Sequence, residues 1–100
     1  EGTGRDDRMD RKELVRLRGV AQSLKPTAQV GKDGLTDEVC TELVRQLKRS
    51  GLVKVKLLAS AGPDREAVGA DIARMTSSVL VEVRGRTVVL ARERSIEPKR

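Results

Sequence analysis

Residues 27–58 read TAQVGKDGLTDEVCTELVRQLKRSGLVKVKLL and predict a short strand, a glycine turn, a helix and a second strand. The turn is the G-x-x-G sequence at residues 31–34. Glycines at both ends of a turn permit positive φ and a close approach to another backbone. A helix that follows such a turn offers unpaired N–H groups and the positive end of its dipole, and both favour a phosphate. The stretch therefore predicts a loop that holds a nucleic-acid backbone.

The helix after this turn has clear start and stop signals. Thr36 is a good N-cap residue, and two acids follow it where they complement the helix dipole. Gly51 stands where a left-handed C-terminal cap is expected. The apolar positions at helical spacing are Val39, Cys40, Leu43, Val44 and Leu47. We expect Cys40 to be buried on this face as a small hydrophobic residue.

The flanking segments add a helix and a strand. A first helix is predicted from residue 10 to before Pro26, and a strand is predicted over residues 52–58. The apolar positions of that helix are Leu14, Leu17, Ala21 and Leu24. In the strand, Val53, Val55 and Leu57 alternate with Lys54 and Lys56, so the two lysines are expected to share the solvent face.

The C-terminal third predicts a helix and a hairpin. Asp64 is expected to cap a third helix, in which Gly69 is a weak position. The hairpin comprises residues 78–84 and 87–92, joined by a tight primed turn at Gly85-Arg86. The apolar positions of this helix are Val68, Ile72 and Met75. We expect one face of each strand to be apolar, with Val79, Val81 and Val83 on the first strand and Val88 and Leu90 on its partner.

The element order is therefore α-β-α-β-α-β-β. It predicts a single small α/β domain of the α+β kind over residues 10–94, with a four-stranded mixed sheet and helices packed on it. Residues 1–9 are polar and lack periodicity, and residues 95–100 are charged and contain a proline. We expect both segments to be flexible, as an N-terminal arm and a C-terminal tail.

Composition limits the functions open to this chain. Its 100 residues include 21 Lys and Arg against 15 Asp and Glu, for a formal net charge of +6, which favours a polyanionic partner. The sequence has no aromatic residue, which excludes a recognition sheet that stacks bases on Phe or Tyr. Contacts to nucleic acid must therefore come from backbone grip, hydrogen bonds and arginine stacking.

Catalysis finds no support in the sequence. The single cysteine, Cys40, excludes an internal disulfide and a cysteine-based zinc cluster, and without histidine the common nucleophilic triads cannot form. The glycine turn also lacks the spacing of a nucleotide-binding P-loop. No apolar stretch is long enough to span a bilayer. We expect a cytoplasmic, monomeric, non-enzymatic protein without cofactor, metal, membrane partner or small-molecule substrate.

The chain resembles the CRM domain, the YhbY-like family named for chloroplast RNA splicing and ribosome maturation. The resemblance rests on LKP at residues 24–26, VGKDGLT at 30–36, LVKVK at 52–56 and GRTVVLAR at 85–92, and it covers residues 10–94 in order. It implies an RNA-binding module with a fold similar to the C-terminal domain of translation initiation factor three. Stand-alone members are associated with precursors of the large ribosomal subunit, so the resemblance implies ribosomal RNA as the partner.

The resemblance places RNA contact in the G-x-x-G loop and the basic residues around it. The predicted RNA-binding residues are Gly31, Lys32, Asp33, Gly34, Lys12, Arg16, Lys25, Lys54 and Lys56. Lys12 and Arg16 belong to a basic stripe on the first helix that begins at Arg8. Asp33 is an acid inside the loop, and it would repel phosphate unless its side chain caps the helix that follows.

Two other functions fit the same residues. Small basic α/β domains also bind duplex DNA or chromatin, and competition between duplex DNA and folded RNA would separate these cases. Alternatively, apolar residues on the sheet, namely Leu52, Leu58 and Leu80, form a docking patch of a protein-interaction module. In that case the association in cells would survive nuclease treatment.

Overall fold

A computed structural model describes residues 11–92, which form three helices and a four-stranded sheet. In chain order the elements are α1 (Arg11–Ala21), β1 (Ala28–Val30), α2 (Asp37–Ser50), β2 (Leu52–Leu57), α3 (Arg65–Met75), β3 (Ser78–Arg84) and β4 (Thr87–Arg92). This order and the small α+β fold confirm the prediction from sequence. The predicted arm at residues 1–9 and tail at residues 95–100 lie outside the described residues.

The sheet is mixed, with the strand order β1-β2-β4-β3. β1 runs parallel to β2, while β4 is antiparallel to both β2 and β3. This arrangement follows from the connections, because α2 carries the chain back between parallel strands and a two-residue turn joins the antiparallel pair. The ends of β1, β2 and β3 and the start of β4 therefore lie at one end of the sheet, which we call the tip. The opposite end is the base.

The helices lie on both faces of the sheet. α2 and α3 cover one face, and their apolar side chains join those of the strands in the larger core cluster. Its buried members are Val30, Leu43, Leu47, Val53, Val55, Leu57, Ile72, Ala73, Val88 and Leu90. α1 covers the other face in a smaller cluster, made of Leu17, Ala21, Val81, Val89 and Ala91. The central strand β4 is consequently buried on both faces, with Val88 and Leu90 on one and Val89 and Ala91 on the other. The sequence had predicted only the first of these faces to be apolar.

The hairpin differs from the prediction at one position. A register shift between Leu80 and Glu82 interrupts the alternation of β3. Val79 and Val81 pack on the α1 side, whereas Leu80 and Val83 pack on the α2 and α3 side. The expectation that Val79, Val81 and Val83 line one face is therefore wrong, because a bulge adds one residue and reverses the sides that follow.

Two apolar positions of the helices are also less buried than predicted. Met75, at the end of α3, is 48% exposed, because Gly69, Ile72 and Ala73 form the buried face of this helix. Cys40 is half-buried, and its thiol donates to the carbonyl oxygen of Met75 across 3.6 Å. Both residues lie at the edge of the contact between α2 and α3, where the core ends.

The first helix ends earlier than its periodicity indicates. α1 ends at Ala21, and Leu24 lies beyond it in a turn. The amide of Leu24 donates to the carbonyl of Ala21 at 3.0 Å. Residues 22–24 make hydrogen bonds to carbonyls three residues back, so the helix tightens before the chain leaves it. The extended conformation that Pro26 imposes on Lys25 prevents the helix from continuing.

Candidate nucleic-acid interface

The two glycines of the G-x-x-G loop have different structural tasks. Gly34 has a φ of 70°, which favours glycine, and its amide donates to the carbonyl of Gly31 at 3.0 Å. Gly31 does not have positive φ, but a Cβ there would lie 3.0 Å from Ser60 Oγ and 3.2 Å from Leu58 Cδ1. One glycine therefore closes the turn, and the other lets the loop pack closely against residues 58–60.

Hydrogen bonds hold the loop beside the hairpin turn at the tip. The amide of Leu58 donates to the carbonyl of Val30 at 2.8 Å, and the adjacent amide of Leu57 donates to the carbonyl of Arg86 at 2.7 Å. Gly85 has a φ of 56°, as the first central residue of a type II′ turn requires, which agrees with the predicted primed turn. Consecutive amides at the end of β2 thus bind the stem of the loop on one side and the hairpin turn on the other.

The charge of the loop itself is not positive. Lys32 and Asp33 are both exposed, and the acids Asp37 and Glu38 occupy the first turn of α2. The side chain of Thr36 caps this helix by accepting from the Val39 amide at 3.3 Å. Asp33 therefore does not cap α2, as the sequence had allowed. Its carboxylate makes no hydrogen bond or ion pair with any of the residues 11–92. Lys32 is thus the only cation of residues 31–34, and further cations for a phosphate would come from neighbouring elements.

A row of polar side chains across the sheet provides such cations. Lys56 lies opposite Gln29 on one side and Thr87 on the other, and Thr87 lies opposite Arg84. Directly opposed residues project on the same face, here the face that also carries α1. Gln29, Lys56 and Arg84 are exposed, and Thr87 is half-buried. The Arg84 guanidinium lies 3.9 Å from the Glu82 carboxylate, and its side chain keeps 65% of its surface in solvent. We call these four residues the tip row; they lie next to the loop and the hairpin turn.

Sequence reasoning identified only one cation of this surface outside the loop. Lys56 is in the tip row as predicted, but Arg84 and Arg86 were not among the predicted residues. The sequence Arg84-Gly85-Arg86 was a usable signal, because a hairpin turn with flanking arginines projects both side chains from one end of a sheet. What was missing was the strand order that places this turn next to β2.

The remaining predicted residues lie elsewhere. Lys54 is half-buried, and its ammonium donates to the carbonyls of Ala21 at 3.1 Å and Leu24 at 3.2 Å. Lys25 is exposed near the base, beyond the far end of β1 from the loop. Lys25 and Lys32 are thus separated by the length of β1. Lys54 is bound to the end of α1 and to the turn that follows it.

The basic stripe on α1 forms a separate surface. Arg16 donates from Nε to Glu13 at 3.3 Å, and this hydrogen bond together with the charge of Glu13 raises the pKa of Arg16. Lys12 is exposed, and Arg8 lies outside the described residues. Arg18 forms an ion pair with Glu82 of β3 at 3.5 Å. Much of the charge that looked available in the sequence is therefore paired with carboxylates.

The proposed apolar docking patch does not form as one surface. Leu52 packs with the α1 cluster, whereas Leu80 packs with the cluster on the opposite face of the sheet. Leu58 is 36% exposed at the tip. Within residues 11–92, no helix has the length and apolarity needed to cross a bilayer, and His, Cys, Asp and Glu side chains do not gather into a metal-binding group.

Comparison with known proteins identifies the family of this domain. Residues 9–92 match the family model of the CRS1 / YhbY (CRM) domain. The chain belongs to this family. The resemblance seen in the sequence is thereby confirmed, and the matched segment of this CRM domain includes the loop, the tip row and the hairpin turn.

Relatives of this CRM domain carry names that refer to RNA. "Probable RNA-binding protein YqeI" of Bacillus subtilis is 34% identical over 77 residues, covering 77% of this chain and 80% of that protein. An "RNA-binding protein" of Haemophilus influenzae is 37% identical over 79 residues, covering 76% of this chain and 77% of that protein. The solution structure of the hypothetical protein SAV1595 from Staphylococcus aureus superposes with a TM-score of 0.71 at 29% identity, covering 82% of this chain and 85% of that one.

Proposed function

We propose that this CRM domain is a non-enzymatic RNA-binding protein that grips an RNA backbone at the tip of its sheet. One observation carries the proposal. The consecutive amides of Leu57 and Leu58 bind the hairpin turn and the stem of the G-x-x-G loop, so that two exposed turns flank the tip row. The names of the relatives from Bacillus subtilis and Haemophilus influenzae support RNA as the polyanion.

Each part of the tip would have its own role. The loop allows close approach of a sugar-phosphate strand, since its glycines carry no side chain that would hold the strand away. Lys32, Lys56 and Arg84 would neutralise phosphates, and the arginine can contact one phosphate through two N–H groups. Asp33 would work against phosphate and would favour a strand that passes on the tip-row side of the loop. Recognition of this kind reads backbone shape more than base sequence.

We further propose that the RNA is ribosomal and that the domain acts on a precursor of the large subunit. The support is the family membership together with the net charge of +6, which suits a large folded polyanion. Within residues 11–92 the duplex-DNA alternative is supported by no feature that RNA binding lacks. The absence of a stacking aromatic leaves shape and phosphate contacts as the means of recognition.

Binding to a folded RNA hairpin with a single-stranded extension tests the proposal directly. Lys32→Ala with Lys56→Ala should weaken binding about tenfold while leaving thermal unfolding unchanged. The matched control is Lys48→Ala with Arg74→Ala, which removes two exposed cations from α2 and α3 away from the tip. With about four to six phosphates neutralised on single strands, log affinity should fall with log salt at a slope of about −3 to −4.

Two outcomes would overturn the proposal. Equal loss of affinity in the tip variant and its control would mean that the tip has no special role. A clear preference for duplex DNA over the hairpin at matched salt would replace RNA by DNA as the partner. The ribosomal part has a separate test, which is crosslinking in cells followed by sequencing of the bound RNA; enrichment of non-ribosomal transcripts would refute it.

A further inference from the structure

A second concave surface lies at the base of the sheet, at the end opposite the G-x-x-G loop. It is a groove of about 340 Å³ between the C-terminal half of α2, the start of β2 and the segment that follows α1. This volume lies within the range of small-molecule sites, roughly 300–1,000 Å³. We call it the basal groove. The contacts at the tip do not use it.

The groove exists because β1 is short. β1 pairs only with the second half of β2, from Val55 to Leu57, so the first half of β2 has no strand partner on that side. The last bond at this edge runs from the amide of Thr27 to the carbonyl of Lys54, at 3.0 Å. Backbone polar groups and the side chain of Leu52 therefore border the groove directly.

The charges along the groove are unequal and unequally paired. Four cationic side chains border it, namely Lys25, Arg45, Arg49 and Lys54, against the single carboxylate of Glu42. That carboxylate accepts from Arg45 at 2.8 and 3.2 Å and from Gln46 at 2.9 Å. Arg45 binds Glu42 directly, and Lys54 binds the end of α1. Among the described residues Lys25 therefore has no carboxylate partner, and Arg49 interacts with Glu42 only through its charge, without a hydrogen bond.

Apolar side chains stand beside these cations. Leu24 and Leu52 are half-buried at the groove, and each presents aliphatic surface. A nucleotide has the matching composition, a flat apolar base and a charged phosphate. In a chain without aromatic residues, aliphatic packing and the planar guanidinium of an arginine are the surfaces on which a base can lie.

We infer that the basal groove binds one nucleotide of an RNA strand, with its phosphate at Lys25 and Arg49 and its base against Leu24 and Leu52. This inference rests on the proposed function, because it gives the RNA a second contact at the end of the domain opposite the loop. A strand that occupies both sites follows the length of β1, and recognition then depends on the spacing of two contacts.

Glu42 sets the strength of this site. Its carboxylate holds the Arg45 guanidinium, which would otherwise be a further cation for the phosphate. Glu42→Gln frees Arg45 and should tighten binding of the hairpin with a single-stranded extension about threefold. Asp71→Asn frees Arg74 of α3 in the same way and raises the net charge equally, so it serves as the control, and equal tightening by both variants would mean that net charge alone is responsible.

The main test is the variant Lys25→Ala with Arg49→Ala in the full chain. It should bind the extended hairpin about tenfold more weakly, and its salt slope should be shallower by about 1.4, the loss of two contacts on a single strand. The variant Lys48→Ala with Arg74→Ala removes the same charge outside the groove and serves as the control. Affinity within twofold of that control would overturn the inference, while a loss in the tip variant would leave the proposed function standing.

Titration with uridine 5′-monophosphate and adenosine 5′-monophosphate examines the groove without any contact at the tip. Millimolar nucleotide should shift the backbone amide resonances of residues 49–54 in the wild-type chain and leave them unmoved in Lys25→Ala with Arg49→Ala. Equal shifts with inorganic phosphate would overturn the claim that the base contributes. Shifts by nucleotide in a chain that does not bind the hairpin would refute the proposed function and the RNA strand, leaving only a nucleotide site.

Discussion

The ammonium group of Lys54 lies 3.1 Å from the carbonyl oxygen of Ala21, the last residue of α1. A second hydrogen bond joins it to the carbonyl of Leu24 at 3.2 Å. The last carbonyls of a helix have no partner within the helix, and a cation beside them also complements the helix dipole. Lys54 thus attaches the end of α1 to the sheet, whereas Lys56, two residues further along the same strand, stays in solvent.

This difference predicts that replacing Lys54 lowers the stability of the domain, whereas replacing Lys56 lowers its affinity for RNA. Lys54→Met should lower the free energy of unfolding by about 1–2 kcal/mol, because the last carbonyl of α1 and the carbonyl of Leu24 in the following turn lose a charged donor. Lys56→Met should leave the stability within about 0.5 kcal/mol, as for other exposed positions, and should weaken RNA binding instead. Chemical denaturation of both variants checks the prediction, and equal destabilisation would show that Lys54 does not anchor α1.

The loop glycines should respond differently to alanine. Gly34→Ala should cost about 1 kcal/mol because of its positive φ, and Gly34→Asn should cost less, since asparagine tolerates this conformation. Gly31→Ala should cost about 1–3 kcal/mol, because the new methyl group would lie 3.0 Å from Ser60 Oγ and 3.2 Å from Leu58 Cδ1, so that these side chains must shift to make room.

A double-mutant cycle separates the two causes. Ser60→Ala removes the atom nearest to the new methyl group, so it should recover part of the loss in Gly31→Ala and none of the loss in Gly34→Ala. Thermal unfolding of the three single variants and of the two double variants that contain Ser60→Ala provides the measurement. Additive effects at positions 31 and 60 would mean that the loop does not pack on residues 58–60 as described.

Two helix glycines form another contrasting pair. Gly19 in α1 has no atom within 4 Å of the position of a Cβ, so Gly19→Ala should stabilise the domain by about 0.5–1 kcal/mol through helix propensity. At Gly69 in α3 a Cβ would lie 3.2 Å from Val83 and 3.3 Å from Val88. Gly69→Ala should therefore destabilise the domain by about 1 kcal/mol despite its better propensity.

A shift of the melting temperature, upward for the first and downward for the second by about 4–8 °C per kcal/mol, checks this pair. If both substitutions raise it, α3 has room to move away from the sheet and Gly69 is not needed for packing.

The hydrogen bond from Arg45 lowers the pKa of Glu42, and that from Gln46 acts in the same direction. A carboxyl whose pKa is lower in the folded chain contributes stability at neutral pH, and this contribution is lost as the pH falls through the folded pKa. Titration of the Glu42 carboxyl by NMR should therefore give a midpoint below the ordinary glutamate range. Arg45→Ala should return the midpoint toward that range, and Arg74→Ala should not; an unchanged midpoint in Arg45→Ala would assign the shift to another cause.

Local signals predicted most of the secondary structure. Thr36 and Gly51 cap α2, and Asp64 caps α3 through the Ala67 amide, as their positions indicated. The hairpin turn at Gly85 also forms where it was expected. These features depend on one to four neighbouring residues, so a sequence pattern contains nearly all of the relevant physics.

Features that depend on contacts between distant segments were not predictable in the same way. Val89 and Ala91 are buried because α1 packs on the second face of the sheet, and the bulge after Leu80 occurs where Val81 joins the same cluster. The burial pattern of β4 alone does not reveal which helix will cover it. The candidate site likewise depends on contacts between distant segments. Lys56 was predicted from the sequence, whereas Arg84 was not, because only the pairing of β2, β4 and β3 places the two on one surface.

The sequence by itself determined the elements, the glycine loop, the positive net charge and the lack of stacking aromatic residues, because composition and short-range patterns express these properties directly. Tertiary structure alone decided which cations meet. Strand order places Arg84 on the same face as Lys56, with Thr87 between them, and keeps Lys25 at the other end of β1. The packing of α1 on the sheet brings its last carbonyl to Lys54, which is half-buried as a result. Pairing between strands joins residues that lie tens of positions apart, and such pairing is set by the packing of the whole domain.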